Sequence, residues 1–197
     1  MPYNPDIHHR RTIRLRDHDY SGGGAYFVTI CTHERECLFG DVIDGEMRCN
    51  GAGLVVQEEW RLTAALREYV VLDEFIVMPN HFHAVLAIDD RRVPARRDPG
   101  NDVDIRLGTA RRAPTLESFA APVVGSLATV IRSFKSAVTK RINALRDNPG
   151  APVWQRNYYE RVIRDERELN SIRKYIDDNP AKWEQDENHP DKQSSTS

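Results

Sequence analysis

No apolar run in the chain reaches the ~20 residues that a helical membrane span requires, and charge interrupts every hydrophobic stretch well before that length. The first 16 residues are rich in Arg and His without the apolar centre of an export signal, so a soluble, unexported, cytoplasmic protein is expected. Cysteine is scarce as well. Cys31, Cys37 and Cys49 are an odd number, which argues against a disulfide framework, and beside His33 they lack the C-x2-C knuckle of a structural zinc site. Excess charge is absent too: Lys and Arg total 28 against 30 Asp and Glu, a net charge of -2, so any basic surface for a polyanion must be local. No internal repeat is visible. The 197 residues, 40% hydrophobic and 29% charged, suit one globular domain able to hold a site rigidly.

Three zones follow from composition. Residues 1–24 form a basic arm, with Arg10, Arg11, Arg14 and Arg16 closed by Ser21-Gly22-Gly23-Gly24. Residues 25–183 carry the periodic segments, interrupted at 89–114 by a charged loop rich in Arg, Asp and Pro. Residues 184–197 read as a polar tail.

Within the middle zone, Tyr26–Thr32 is β-branched and aromatic, hence a strand, and 38–48 reads as a hairpin about Asp44-Gly45. Asn50 caps a helix in which Leu54, Val55, Trp60, Leu62, Ala65 and Leu66 recur at helical spacing. Val70–Met78 and His81–Ile88 are strands joined so tightly through Pro79-Asn80 that they must be antiparallel neighbours. A long helix over 123–145 has the stripe Leu127, Ile131, Phe134, Val138, Ile142 and Leu145. A strand over 157–164 and a helix over 165–179, opened by an Asp165/Glu168 capping box, complete the order. Antiparallel strands with helices between some of them predict an α+β, ferredoxin-like sandwich, its helices mainly on one face of the sheet.

Two places carry chemistry. His81 and His83, two apart on a strand, project to one face while Phe82 goes to the other, a geometry that suits two imidazoles on one divalent cation. The plain alternative is a pair of surface histidines. In the last helix Tyr175 and Asn179 are i and i+4 and share a face: a phenol as nucleophile beside an amide oxygen as third metal ligand. Alone, Tyr175 is an amphipathic rim residue and Asn179 ends a helix before Pro180. On the long helix Arg132, Lys135, Ser136, Thr139 and Lys140 gather on one arc, which is either solvated surface or a face for a phosphate backbone. Trp154, Gln155 and Arg156 are candidates for stacking on or reading extruded bases, with Trp154 equally suited to the core. Tyr158 and Tyr159, on a strand and facing opposite ways, suit packing or base stacking better than nucleophilic attack.

VMPNHFH at 77–83 resembles the HUH motif (His, hydrophobic, His) of single-tyrosine transposases. SFKS at 133–136, VWQRNYYERVIR at 153–164 and YIDDNPAKW at 175–183 resemble, in that order, blocks of the REP-associated tyrosine transposases. The resemblance runs from about Tyr26 to Trp183. It implies an HUH-endonuclease fold acting on single-stranded DNA folded into hairpins of the repetitive extragenic palindrome type, as a monomer or a homodimer, at the nucleoid.

Residue by residue, the resemblance makes His81 and His83 the metal-binding histidines, Tyr175 the nucleophile that forms a 5′-phosphotyrosine, and Asn179 the polar residue completing the metal site. The implied cofactor is Mg2+ or Mn2+, and two imidazoles favour Mn2+. The charged loop is longer than a minimal member needs, and the arm before Tyr26 matches no motif. A rival reading is a non-catalytic nucleic-acid binder of RRM-like fold, although the usual aromatic strand signature of such modules is missing. Another is a metal-dependent phosphodiesterase that uses water as nucleophile.

Overall fold

A computed structural model describes residues 23–89, 92–93 and 125–193. Most of the basic arm and most of the 89–114 loop lie outside these residues, as do Ser194–Ser197.

Four strands form the main sheet: β1 (Gly24–Cys31), β4 (Val70–Met78), β5 (His81–Ile88) and β6 (Tyr159–Ile163). Their order is β4-β5-β1-β6 and every pairing is antiparallel, the arrangement expected of a ferredoxin-like sandwich. A separate hairpin of β2 (Gly40–Ile43) and β3 (Glu46–Cys49) turns at Asp44-Gly45, where both residues have positive φ (52° and 75°), the backbone of a type I′ turn.

Helices α1 (Gly51–Ala65) and α2 (Leu127–Leu145) cover one face of the sheet, and α3 (Glu166–Asp178) crosses the other. Because β5 is central and covered on both sides, its residues are buried almost without interruption, which is why it reads as a continuous apolar run rather than an alternating one. On the α1/α2 side, Phe82 packs against Trp60 of α1 and Phe134 of α2 at ring separations of 5.1 and 5.4 Å. On the α3 side, Phe27, Val85 and Ile163 of the sheet meet Ile172 and Ile176. Arg173 ties the same helix to β4 by a two-pronged pair with Asp73 at 2.7 and 2.5 Å, at the irregularity between Leu72 and Phe75.

The helix caps are close to expectation. Asn50 accepts the amides of Ala52 and Gly53, and Asp165 accepts the amide of Glu168, whose carboxylate reaches back to the Arg164 amide. Four details differ. The long helix begins at Leu127, capped by Ser126, rather than at 123, and Leu145 at its end is exposed rather than part of the buried stripe. On α1 the buried side is Gly53, Val55, Val56, Trp60 and Thr63, while Leu54, Leu62 and Leu66 face out. The large Trp60 ring sets that phase, because its insertion between Phe82 and Phe134 orients the whole helix. Beyond Trp183 the chain is not a free tail at once: the Asp186 side chain and Asn188 are buried against the body.

Candidate active site

His81 and His83 lie on the α3 side of β5, and neither is a surface histidine: they are 0% and 2% exposed. Their rings are 4.5 Å apart. The Asn80 side chain, whose amide nitrogen donates to the carbonyls of Arg35 and Asn188 at 3.1 and 2.8 Å, turns its oxygen to His81 Nδ1 at 2.9 Å. An acceptor there requires Nδ1 to carry the proton and leaves a lone pair on Nε2. His83 Nδ1 meets the Thr29 hydroxyl at 2.8 Å from the neighbouring strand. Both imidazoles are thus oriented by their second nitrogen, as metal-binding histidines are.

Helix α3 brings Tyr175 to the same place, its hydroxyl 3.3 Å from His83 Nε2 and its ring 5.2 Å from the His83 ring and 6.1 Å from Phe27. One turn on, Asn179 is buried, its amide nitrogen 3.3 Å from Asp186 Oδ2 and its carbonyl oxygen without a hydrogen-bond partner. The four residues singled out in the sequence are therefore brought together by two elements, β5 and α3. Tyr158 and Tyr159 face opposite ways as expected, Tyr158 toward the main core and Tyr159 toward Phe27.

Asp186 was not anticipated. Its side chain is only 5% exposed, and Oδ2 lies 4.0 Å from His81 Nε2. Donor atoms of His81, His83 and Asp186 all fall within 4.8 Å of one another, the spacing of a shared cation. The segment that carries it is pinned by Asn188, which accepts from the Arg35 guanidinium and from the Cys31 thiol, and by the Asn188 amide on Asp186 Oδ1 at 2.6 Å. Trp183, a buried aromatic 5.9 Å from the His81 ring, was the available signal that the chain past Pro180 belongs to the body.

The electrostatics favour neutral imidazoles. Burial, and after it the Arg35 guanidinium, push the pKa of His81 down to about 3, with the Asn179 side chain opposing. Burial and then His81 hold His83 well below its usual range. Burial, followed by the Asp186 and Glu187 carboxylates, raises Tyr175 to about 12, so its hydroxyl is protonated at neutral pH. The result is an unusual juxtaposition: an uncharged His81 Nε2 with no hydrogen-bond partner facing a carboxylate, beside an unpartnered amide oxygen. Three acceptors converging out of water are costly unless a cation lies among them. The donor set, two imidazole nitrogens with carboxylate and amide oxygens, fits a divalent ion such as Mn2+ or Mg2+.

The expected DNA-contacting residues divide. Arg132, Lys140 and Arg156 are exposed. Lys135 is not a free cation: its ammonium donates to the carbonyls of Gln155 and Arg156 at 2.6 and 3.3 Å, and burial brings its pKa down to about 8. Trp154 is 7% exposed and packs against Phe39 and Phe134, the core position that suited it equally in the sequence, while its remaining edge lines a surface cavity. Gln155 is half-buried, its backbone N–H donating to the Cys31 carbonyl. Lys135, Lys140, Trp154, Gln155 and Arg156 all line one surface cavity of about 810 Å³ at the C-terminal half of α2.

The fold is that of an α+β, ferredoxin-like protein similar to a REP-associated tyrosine transposase solved bound to a REP hairpin: TM-score 0.53, 15% identity, 86% of this chain and 74% of that one. At that identity the likeness concerns the fold. No family model matches the sequence. The chain is 36% identical over 192 residues to an uncharacterized protein of Haemophilus influenzae, across 96% of this chain and 98% of that one, and it belongs to the same family as that protein.

Proposed function

We propose that the protein is a single-tyrosine HUH transposase that cleaves and rejoins single-stranded, hairpin-forming DNA with a divalent metal. The observation that carries this reading is the Tyr175 hydroxyl 3.3 Å from His83 Nε2, beside a buried pair of neutral histidines and Asp186. Two features from the comparisons agree with it: the shared fold, and the DNA hairpin bound in the transposase structure. His81, His83 and Asp186, with the Asn179 carbonyl, would hold the cation, which when bound supplies Lewis acidity toward a non-bridging phosphate oxygen.

Tyr175 Oη attacks phosphorus; an Oη–P bond forms and the P–O3′ bond breaks, leaving a 5′-phosphotyrosine and a free 3′-OH. The phenolic proton passes to solvent and the departing 3′ oxygen takes one up. Attack by another 3′-OH reverses the step and returns the phenol, so no nucleotide cofactor is consumed. Asn80 and Thr29 keep the imidazoles oriented. Arg132, Lys140 and Arg156 supply phosphate contacts to the hairpin. The test is incubation with hairpin DNA from the flanks of the gene and Mn2+, followed by a denaturing gel. A protein band shifted by bound DNA, lost with EDTA, is expected. Nicked DNA without any shifted protein would indicate water as nucleophile, and DNA binding without cleavage a non-catalytic binder.

A further inference from the structure

A groove of about 580 Å³ opens beside Tyr175, between α3 and β6. Among the described residues β6 is an edge strand of the sheet, and no strand pairs with it on its outer side. Register places Thr29 opposite Tyr159 and Phe27 opposite Arg161, so Tyr159 and Arg161, two apart, present to the same side as Phe27. Tyr159 is 41% exposed, and its ring is held edge-on to Phe27 at 6.4 Å. An exposed aromatic ring braced from behind is a platform for a flat partner.

The rim is cationic. Arg161 pairs with Glu168, and the remaining acid, Asp165, is committed to capping α3. Arg164 and Arg167 are exposed and have no ion pair among the described residues. The groove therefore combines one stacking surface, two guanidiniums without an ion pair among the described residues and, in its lining, Tyr175, whose hydroxyl meets His83. That combination matches a nucleotide of a single strand, which offers a π-face and phosphates but no duplex shape.

We propose that this groove holds a nucleotide next to the scissile phosphate, its base on Tyr159 and its phosphates against Arg164 and Arg167. The inference rests on the reading of Tyr175 as the residue that attacks DNA, and its test is separable from that reading. The full chain in EDTA is titrated against a fluorescent, unstructured oligothymidine, and binding is followed by polarisation at several salt concentrations. Tyr159→Ala should weaken binding about tenfold or more, the loss of one stacked base, while Tyr159→Phe should restore it. Arg164→Ala and Arg167→Ala should each flatten the salt dependence by about 0.7.

The exposure of all three side chains allows these substitutions without unfolding, which melting curves verify. Unchanged affinity and salt slope in the variants, with the wild type still forming its covalent adduct under Mn2+, would overturn the groove and leave the Tyr175 reading intact. Tyr159-dependent binding with no adduct in the wild type would support the groove and defeat the catalytic reading.

Discussion

Asp186→Asn separates what a buried carboxylate costs from what it does for a cation. In the metal-free protein, Oδ1 accepts the Asn188 backbone amide at 2.6 Å, and Oδ2 accepts the Asn179 side-chain amide at 3.3 Å and faces the neutral His81 at 4.0 Å. Asparagine keeps an acceptor for the Asn188 amide, gives up the long bond from Asn179 and removes a buried charge, opposing effects that should leave metal-free stability within about 1 kcal/mol of wild type. A cation that binds only the folded chain adds RT ln(1 + [L]/Kd), about 2.7 kcal/mol at a hundred times Kd. For a chain of 197 residues that is about 5–11 °C in melting temperature, at roughly 2–4 °C per kcal/mol. If losing one donor weakens the site a hundredfold, the same Mn2+ concentration leaves about 0.4 kcal/mol, or about 1–2 °C. Thermal melts across a Mn2+ titration, each paired with EDTA, read both quantities. Equal Mn2+ shifts in the variant and the wild type would refute the placement of Asp186 in the site, and no shift in the wild type would refute the site itself.

Acid should destabilise the metal-free protein early. His81 and His83 have pKa values depressed in the folded state, His81 to about 3, so the unfolded chain takes up protons from pH ~6.5 downward while the folded chain does not. Their contribution is whole above ~6.5 and falls with pH by up to about 1.4 kcal/mol per unit for each histidine. Urea unfolding between pH 7 and 5 should show this slope, reduced by about one histidine's share in His83→Asn; identical slopes would contradict the buried, neutral imidazole. Ile176→Ala removes an almost fully buried side chain from under α3 and should cost about 2–5 kcal/mol in the same assay, whereas a loss below 1 would mean that α3 is not seated on the sheet as described.

Much of the site was legible because its parts are local. His81 and His83 stand two apart on a strand, and Tyr175 and Asn179 four apart on a helix, so periodicity alone shows that each pair shares a face. That the two pairs meet depends on strand order and on α3 crossing the sheet, which only the family resemblance anticipated. Asp186 was illegible for a different reason. It follows the helices in an irregular, polar stretch, and what holds it is contact with Arg35 and Cys31 some 150 residues earlier: Arg35 and Cys31 bond to Asn188, at sequence separations of 153 and 157. Lys135 and Trp154 show how little residue type alone says about a side chain's surroundings. Their residue types suit DNA, and Trp154 suits the core as well; the structure adds that Lys135 donates to two loop carbonyls and Trp154 packs between Phe39 and Phe134, contacts that no helical wheel displays.

The central claim is that Tyr175 becomes covalently joined to DNA, and mapping the adduct tests it most directly. The full chain is incubated with Mn2+ and a single-stranded hairpin substrate, the DNA is trimmed by nuclease, and tryptic peptides are weighed by mass spectrometry. A nucleotide phosphate should appear on the peptide of residues 175–182, at Tyr175. Tyr175→Phe, which keeps the ring against Phe27 and His83 and loses only the hydroxyl, should melt within a few degrees of wild type and give no adduct. A phosphotyrosine on the peptide that carries Tyr158 and Tyr159, or cleavage that persists undiminished in Tyr175→Phe, would contradict the account.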